Sequence, residues 1–186
     1  MRPLKDTIEE AGYTVVGFDY QSLQGPIDPQ ASLLRERLDD WNRDPTIAEI
    51  HLVTHSLGGL VARAALGEEP PTKVRRCVML APPNQGSKLA TFLRPMLGGV
   101  ISTLEELTDD PDGRVHRLPV PDSVEFGVIA ARYDHAVSEE NSHLQGEKDH
   151  VVLPSLHSLL MVSTSCQRQV VYFLQHGSFE HAETEE

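Results

Sequence analysis

Apolar residues recur along this chain at two spacings, and their alternation sets the first expectation. At helical spacing, Leu4, Ile8 and Ala11 share one face of residues 2–11, with Gly12 as C-cap. Leu34, Leu38 and Trp41 form the stripe of a second helix, for which Asp28 is the expected N-cap and Pro29 the first helical residue; Asp44-Pro45 breaks it. Leu60, Val61, Ala64, Ala65 and Leu66 mark a third, and Cys166, Val170, Phe173 and Leu174 a last one over 165–176, closed by Gly177.

Between these helices lie short apolar runs of strand length. They cover 13–20, 49–54, 73–83, 124–133 and 149–154. Residues 86–94 predict a further short helix and 102–107 another, within an irregular Gly-, Pro- and Asp-rich excursion over 95–123. Strands alternating with helices at this interval predict a three-layer α/β/α domain on a mostly parallel sheet. One such domain is expected over 1–177, followed by an acidic, disordered tail over 178–186.

One junction carries chemistry. Ile50, Leu52 and Val53 run into Thr54-His55-Ser56-Leu57-Gly58-Gly59 and then directly into the third helix. A strand, a sharp turn with serine at its tip and a helix form the context in which a G-x-S-x-G pattern has meaning. The turn lifts a weakly nucleophilic hydroxyl clear of the sheet, where a histidine can reach it. The helix N-terminus behind it offers unpaired N–H groups to a developing negative charge. Gly58 supplies the small residue this turn needs, and Thr54 stands where the pattern has its first glycine. Serine is also a common helix cap, so the pentapeptide alone does not decide.

In open α/β sheets the chemistry sits beyond the carboxyl ends of the strands. Asp134 follows the strand 124–133, and His157 follows the strand 149–154. Both are therefore expected on the rim that holds Ser56. Histidine titrates near neutrality and suits the base, while a carboxylate holds its tautomer and steadies the imidazolium. Asp149 is the rival acid, but it precedes its strand and belongs to the opposite sheet edge. His55 is expected to pack in the turn. His135, His143 and His150 lack the i, i+4 spacing of a helical zinc site and are expected to be solvated. Neither a metal nor a cofactor is implied.

Composition narrows the alternatives. In 186 residues, 39% hydrophobic and 24% charged, the chain has the make-up of one globular domain. A net charge of -12 argues against nucleic acid and against anionic membrane surfaces. Cys77 and Cys166 fall in apolar segments and read as buried thiols, not as a disulfide framework. No run is long enough to span a membrane, and Met1 leads straight into a polar helix, so a cytoplasmic location without a signal peptide is the default expectation. Oligomeric state is not legible.

The segments VTHSLGGLVAR (53–63), LAPPNQGSKLA (80–90), RYDHAVS (132–138) and KDHVVLPSLHSLLM (148–161) together resemble the esterase/lipase branch of the α/β-hydrolases. The resemblance covers nearly the whole chain. It implies cofactor-free hydrolysis of small acyl esters or lipids through an acyl-enzyme, with Ser56, Asp134 and His157 as the triad and the Leu57 N–H in the oxyanion hole. His135 stands where relatives have glycine after the acid, so the turn at Asp134 is expected to differ. Relatives also carry a strand and a His-Gly oxyanion loop ahead of the helix at 2–11. The resemblance therefore implies an N-terminally truncated domain, in which the strands at 13–20 and 49–54 pair with each other or leave a gap. Two other outcomes stay open: a non-catalytic binding module that keeps the triad residues, and a thioesterase or acyltransferase using the same three.

Overall fold

The computed structural model describes residues 2–18, 27–86 and 113–181. The elements are α1 (Arg2–Glu10), α2 (Ile27–Arg43), β1 (Ile50–His55), α3 (Gly58–Leu66), β2 (Val74–Leu80), α4 (Arg114–Arg117), β3 (Glu125–Ala131), α5 (Glu139–Ser142), β4 (Asp149–Leu153), a 3₁₀ segment (His157–Val162) and α6 (Thr164–His176). The four strands form one parallel sheet in the order β1-β2-β3-β4.

Period-two alternation along the strands divides the core in two. Leu52, Cys77, Met79, Phe126 and Val128 face the layer built from α2 and α3. Val78, Leu80, Ile129, Ala131 and Leu153 face α1 and α6 on the other side, against Leu4, Ile8, Val170 and Phe173. Strands covered on both faces explain the near-continuous apolar runs of β2 and β3. The expected three-layer α/β/α arrangement is what forms. Both cysteines are buried free thiols, each pushed up to about 12 by burial. No helix among the described residues is long and apolar enough to cross a membrane.

Three expectations need correcting. Over its described part, residues 13–18, the strand expected at 13–20 does not form: these residues carry no ladder to β1, which stands at the edge of the sheet among the described residues. Its strand-like pattern has a different origin, because Tyr13 and Val15 pack on one core layer and Phe18 on the other. The second helix starts at Ile27, so Asp28 lies in its first turn and not before it, where it pairs with Arg114. Packing also continues past Gly177: Phe179 is 3% exposed and stacks on Phe173, and Glu180 exchanges hydrogen bonds with Gln169. Of the helix expected over 86–94 only Gly86 is described; the helix expected over 102–107, residues 19–20 and the tail from 182 lie outside the described residues.

Candidate active site

The carboxyl ends of the four strands are stitched together. Ser56 N–H donates to Leu80 O (2.8 Å), Ala81 N–H to Ile129 O (2.8 Å), Arg132 N–H to Leu153 O (2.8 Å) and Tyr133 N–H to Ser155 O (3.0 Å). These bonds fix the turns after β1, β2, β3 and β4 relative to one another. The three residues expected to work together are carried on that rim.

Ser56 lies between β1 and α3 with φ 54, in the left-handed region that serine seldom enters. Such strain persists only where the surroundings impose it. Here the strand before Ser56, its bond to Leu80 and the helix that begins at Gly58 do so. Gly58 is buried at the first position of α3, and the next residue is closely approached. A Cβ on Gly59 would sit 3.1 Å from Pro82 Cβ and 3.5 Å from Met79 Sδ. The doubled glycine of HSLGG was the available signal. Thr54 fits in place of glycine with its Oγ1 buried and without a hydrogen-bond partner among the described residues. The Leu57 N–H likewise has none there, as expected ahead of a helix's first bond.

Asp134 and His157 meet. His157 Nδ1 is 2.7 Å from Asp134 Oδ2, with the Asp134 side chain 1% exposed and the His157 side chain 19%. The other oxygen, Oδ1, accepts the Ala136 N–H (2.7 Å) and the Val137 N–H (2.9 Å). Burial pushes the Asp134 carboxyl up, but the His157 bond and the two backbone N–H groups outweigh it, so its pKa is lowered. This is a carboxylate kept charged in a buried place. His135 causes no strain in the turn, because its φ is not positive. Since a carboxylate only accepts, the bond places a proton on Nδ1 of His157, and in the neutral ring the lone pair is on Nε2.

His55 contributes more than packing. Its Nε2 lies 3.0 Å from His157 O, and the two rings sit 4.8 Å apart at 53°. A carbonyl can only accept, so Nε2 of His55 carries the proton. Burial, then the neighbouring His157, lower the pKa of His55. Asp149 sits elsewhere: its carboxylate receives the Phe179 N–H (2.7 Å), the His150 N–H (2.8 Å) and the ring of His181 (2.9 Å). The expected separation of the two acids is what the structure has.

The three loop histidines are not alike. His135 is exposed. His143 and His150 stack at 3.9 Å and 20°, and His143 Nδ1 is 2.6 Å from Glu147 Oε1. They are not separate solvated rings. The sequence spacing His143-x3-Glu147-x2-His150 was the overlooked signal.

The fold is that of solved α/β-hydrolase structures. The chain belongs to the family described as a domain of unknown function, DUF7379, whose model matches residues 2–118. That match takes in Ser56 and stops short of Asp134 and His157. No curated protein sequence matches the chain. Among solved structures, the mature form of the Bacillus licheniformis lipase BlEst2 superposes with TM-score 0.72 at 16% identity, covering 94% of this chain and 83% of that one. A monoacylglycerol lipase of Paleococcus ferrophilus gives TM-score 0.64 at 16% identity, with 95% and 88% covered. A Pyrococcus furiosus esterase gives 0.63 at 18% identity, with 94% and 74% covered.

Proposed function

We propose that this protein is a serine hydrolase of carboxylic esters. Ser56 is the nucleophile, His157 the base, Asp134 the residue that orients and charges the base, and the Leu57 N–H an oxyanion donor. The observation that carries the reading is the 2.7 Å contact between Asp134 Oδ2 and His157 Nδ1, on the same rim as a serine at φ 54.

In the first half-reaction, His157 Nε2 takes the Ser56 proton as Oγ attacks the acyl carbonyl. The imidazolium is stabilised by the Asp134 carboxylate and returns the proton to the leaving alcohol. In the second, water replaces the alcohol: Nε2 takes its proton as the water oxygen attacks the acyl carbon, the acyl–Oγ bond breaks, and the imidazolium gives the proton to Ser56 Oγ as the carboxylic acid leaves. Negative charge on the carbonyl oxygen falls near the helix N-terminus, where one well-placed donor is worth roughly 100- to 1000-fold in rate. Lipase and esterase neighbours support small acyl esters or lipids as the substrate class. No cofactor enters these steps.

A fluorophosphonate probe tests this directly. The expected result is a covalent adduct at Ser56 in the wild-type chain, absent from Ser56→Ala, with loss of short-acyl ester turnover in the same variant. A folded wild-type protein that never labels overturns the reading and leaves a binding module.

A further inference from the structure

Away from the triad, the segment leading from the Asp134 turn to β4 gathers three side chains of metal-ligand type. His143, Glu147 and His150 each offer one ligand atom, and these atoms lie within 4.8 Å of one another. Only eight residues span the set, so bringing them together costs little chain entropy. His143 is the exposed member (48%), and Glu147 is largely enclosed (14%).

The hydrogen bonds around the set leave nitrogen lone pairs available. Ser142 Oγ has one proton, and it is given to Glu139 O at 2.6 Å. Toward His150 Nε2, 3.2 Å away, that hydroxyl must therefore accept. The proton of neutral His150 is on Nε2, and Nδ1 carries the lone pair. A hydroxyl or carbonyl partner on the second ring nitrogen is how metal-binding histidines are usually held. Glu147 is held as well, its Oε2 accepting the Leu144 N–H at 2.9 Å. Asp149 is not available to the set, since its oxygens are engaged with Phe179 and His181.

We propose that His143, Glu147 and His150 bind one divalent transition-metal ion of the zinc class, with water completing the shell. Two imidazoles and one carboxylate are a ligand set that favours zinc over magnesium or calcium, which prefer all-oxygen shells. The contact of 2.6 Å between His143 Nδ1 and Glu147 Oε1 is too short for an ion to bridge. Binding opens it: the metal forms bonds to both atoms, and the proton between them is displaced, to Nε2 of a neutral ring or to solvent from an imidazolium. The exposed ring of His143 is the part free to move. Such an ion would fasten α5 and the following turn to the start of β4. That segment is already tied to the loop after β2, where Asn84 Nδ2 donates to Ser142 O and Gln85 Nε2 to His143 O, each at 2.9 Å.

The test uses Zn²⁺ alone on the full chain, stripped with chelator and then titrated by calorimetry and by thermal unfolding. Wild type is expected to bind one Zn²⁺ per chain and to gain melting temperature on binding, because only the folded state holds the site. His143→Ala, at the surface end of the set, and Glu147→Gln are expected to weaken binding by at least about tenfold and to lose the thermal shift. His176→Ala, on α6, is expected to bind like wild type. Absence of stoichiometric binding, or equal weakening by His176→Ala, overturns the site. So does binding that survives both ligand substitutions. None of these readouts depends on ester turnover, so a failed metal site and a failed hydrolase are told apart.

Discussion

The ring of His55 lies against that of His157, and its Nε2 donates to the His157 carbonyl at 3.0 Å. The residue before the proposed nucleophile thus anchors the backbone of the proposed base. His55→Phe keeps an aromatic ring in place and removes the donor to the His157 carbonyl. A lost hydrogen bond costs about 0.5–1.5 kcal/mol. The expected outcome is a roughly tenfold fall in kcat for a short acyl ester, with fluorophosphonate labelling retained. Activity as low as that of His157→Ala would show that His55 does more than position.

The two candidate acids separate by what they touch. Asp134 reaches His157, so Asp134→Asn is expected to lower turnover by roughly 10⁴-fold, through loss of the charge and of the tautomer it enforces. Asp149 holds the Phe179 N–H and His181, so Asp149→Asn is expected to leave turnover near wild type. It should cost about 1 kcal/mol of stability through a weakened C-terminal clasp. Steady-state kinetics with urea unfolding of both variants checks the pair of outcomes. The reverse pattern would reassign the acid.

The strain at Ser56 gives a prediction independent of substrate. A non-glycine residue in the left-handed region costs about 1–2 kcal/mol, and glycine does not bear that cost. Part of the gain is offset by the larger freedom of glycine in the unfolded chain. Ser56→Gly is therefore expected to raise unfolding stability by about 1 kcal/mol while abolishing labelling. A destabilised Ser56→Gly would mean that the serine side chain stabilises the resting turn.

What the sequence made legible follows the range of the forces involved. β1, Ser56 and α3 are contiguous, so one local pattern of apolar spacing and glycines announced them. The meeting of Asp134 and His157 was legible because parallel strands put their carboxyl ends on one rim, and the loops after those strands could be read for polar residues. Residues 13–18 misled because alternation records packing on two core layers and does not record hydrogen-bond pairing. Phe179 was missed because a lone aromatic in a polar tail has no periodicity. The stacking of His143 on His150 depends on a loop turn that no spacing rule for helices describes, and Glu147 drew no notice without it. The role of His55 depends on the path of a chain 102 residues further on.

Two half-buried histidines, His51 and His55, contribute to the expected response to acid. His51 has its side chain 11% exposed, and its Nδ1 lacks a hydrogen-bond partner among the described residues. Burial, then Arg76 and Arg75, lower its pKa, with Glu49 opposing. His55 is lowered by burial and by His157. In the unfolded chain both titrate near about 6.5. Between that value and their lower folded values, the unfolded state binds more protons, so stability rises with pH across this window. Their contribution is complete above the unfolded value and is lost as pH falls through the folded one. Asp134, also lowered, adds a second loss at more acid pH, below the ordinary carboxylate range. The urea midpoint is therefore expected to fall already between pH 7.5 and pH 5, before carboxylates are protonated (roughly pH 4 in the unfolded chain). His51→Phe removes one of the two groups and keeps a ring beside Tyr13, whose edge meets His51 at 5.7 Å. That variant should show a shallower fall over the same interval. A midpoint flat down to pH 5 in the wild type would mean that both rings can take up a proton where they stand.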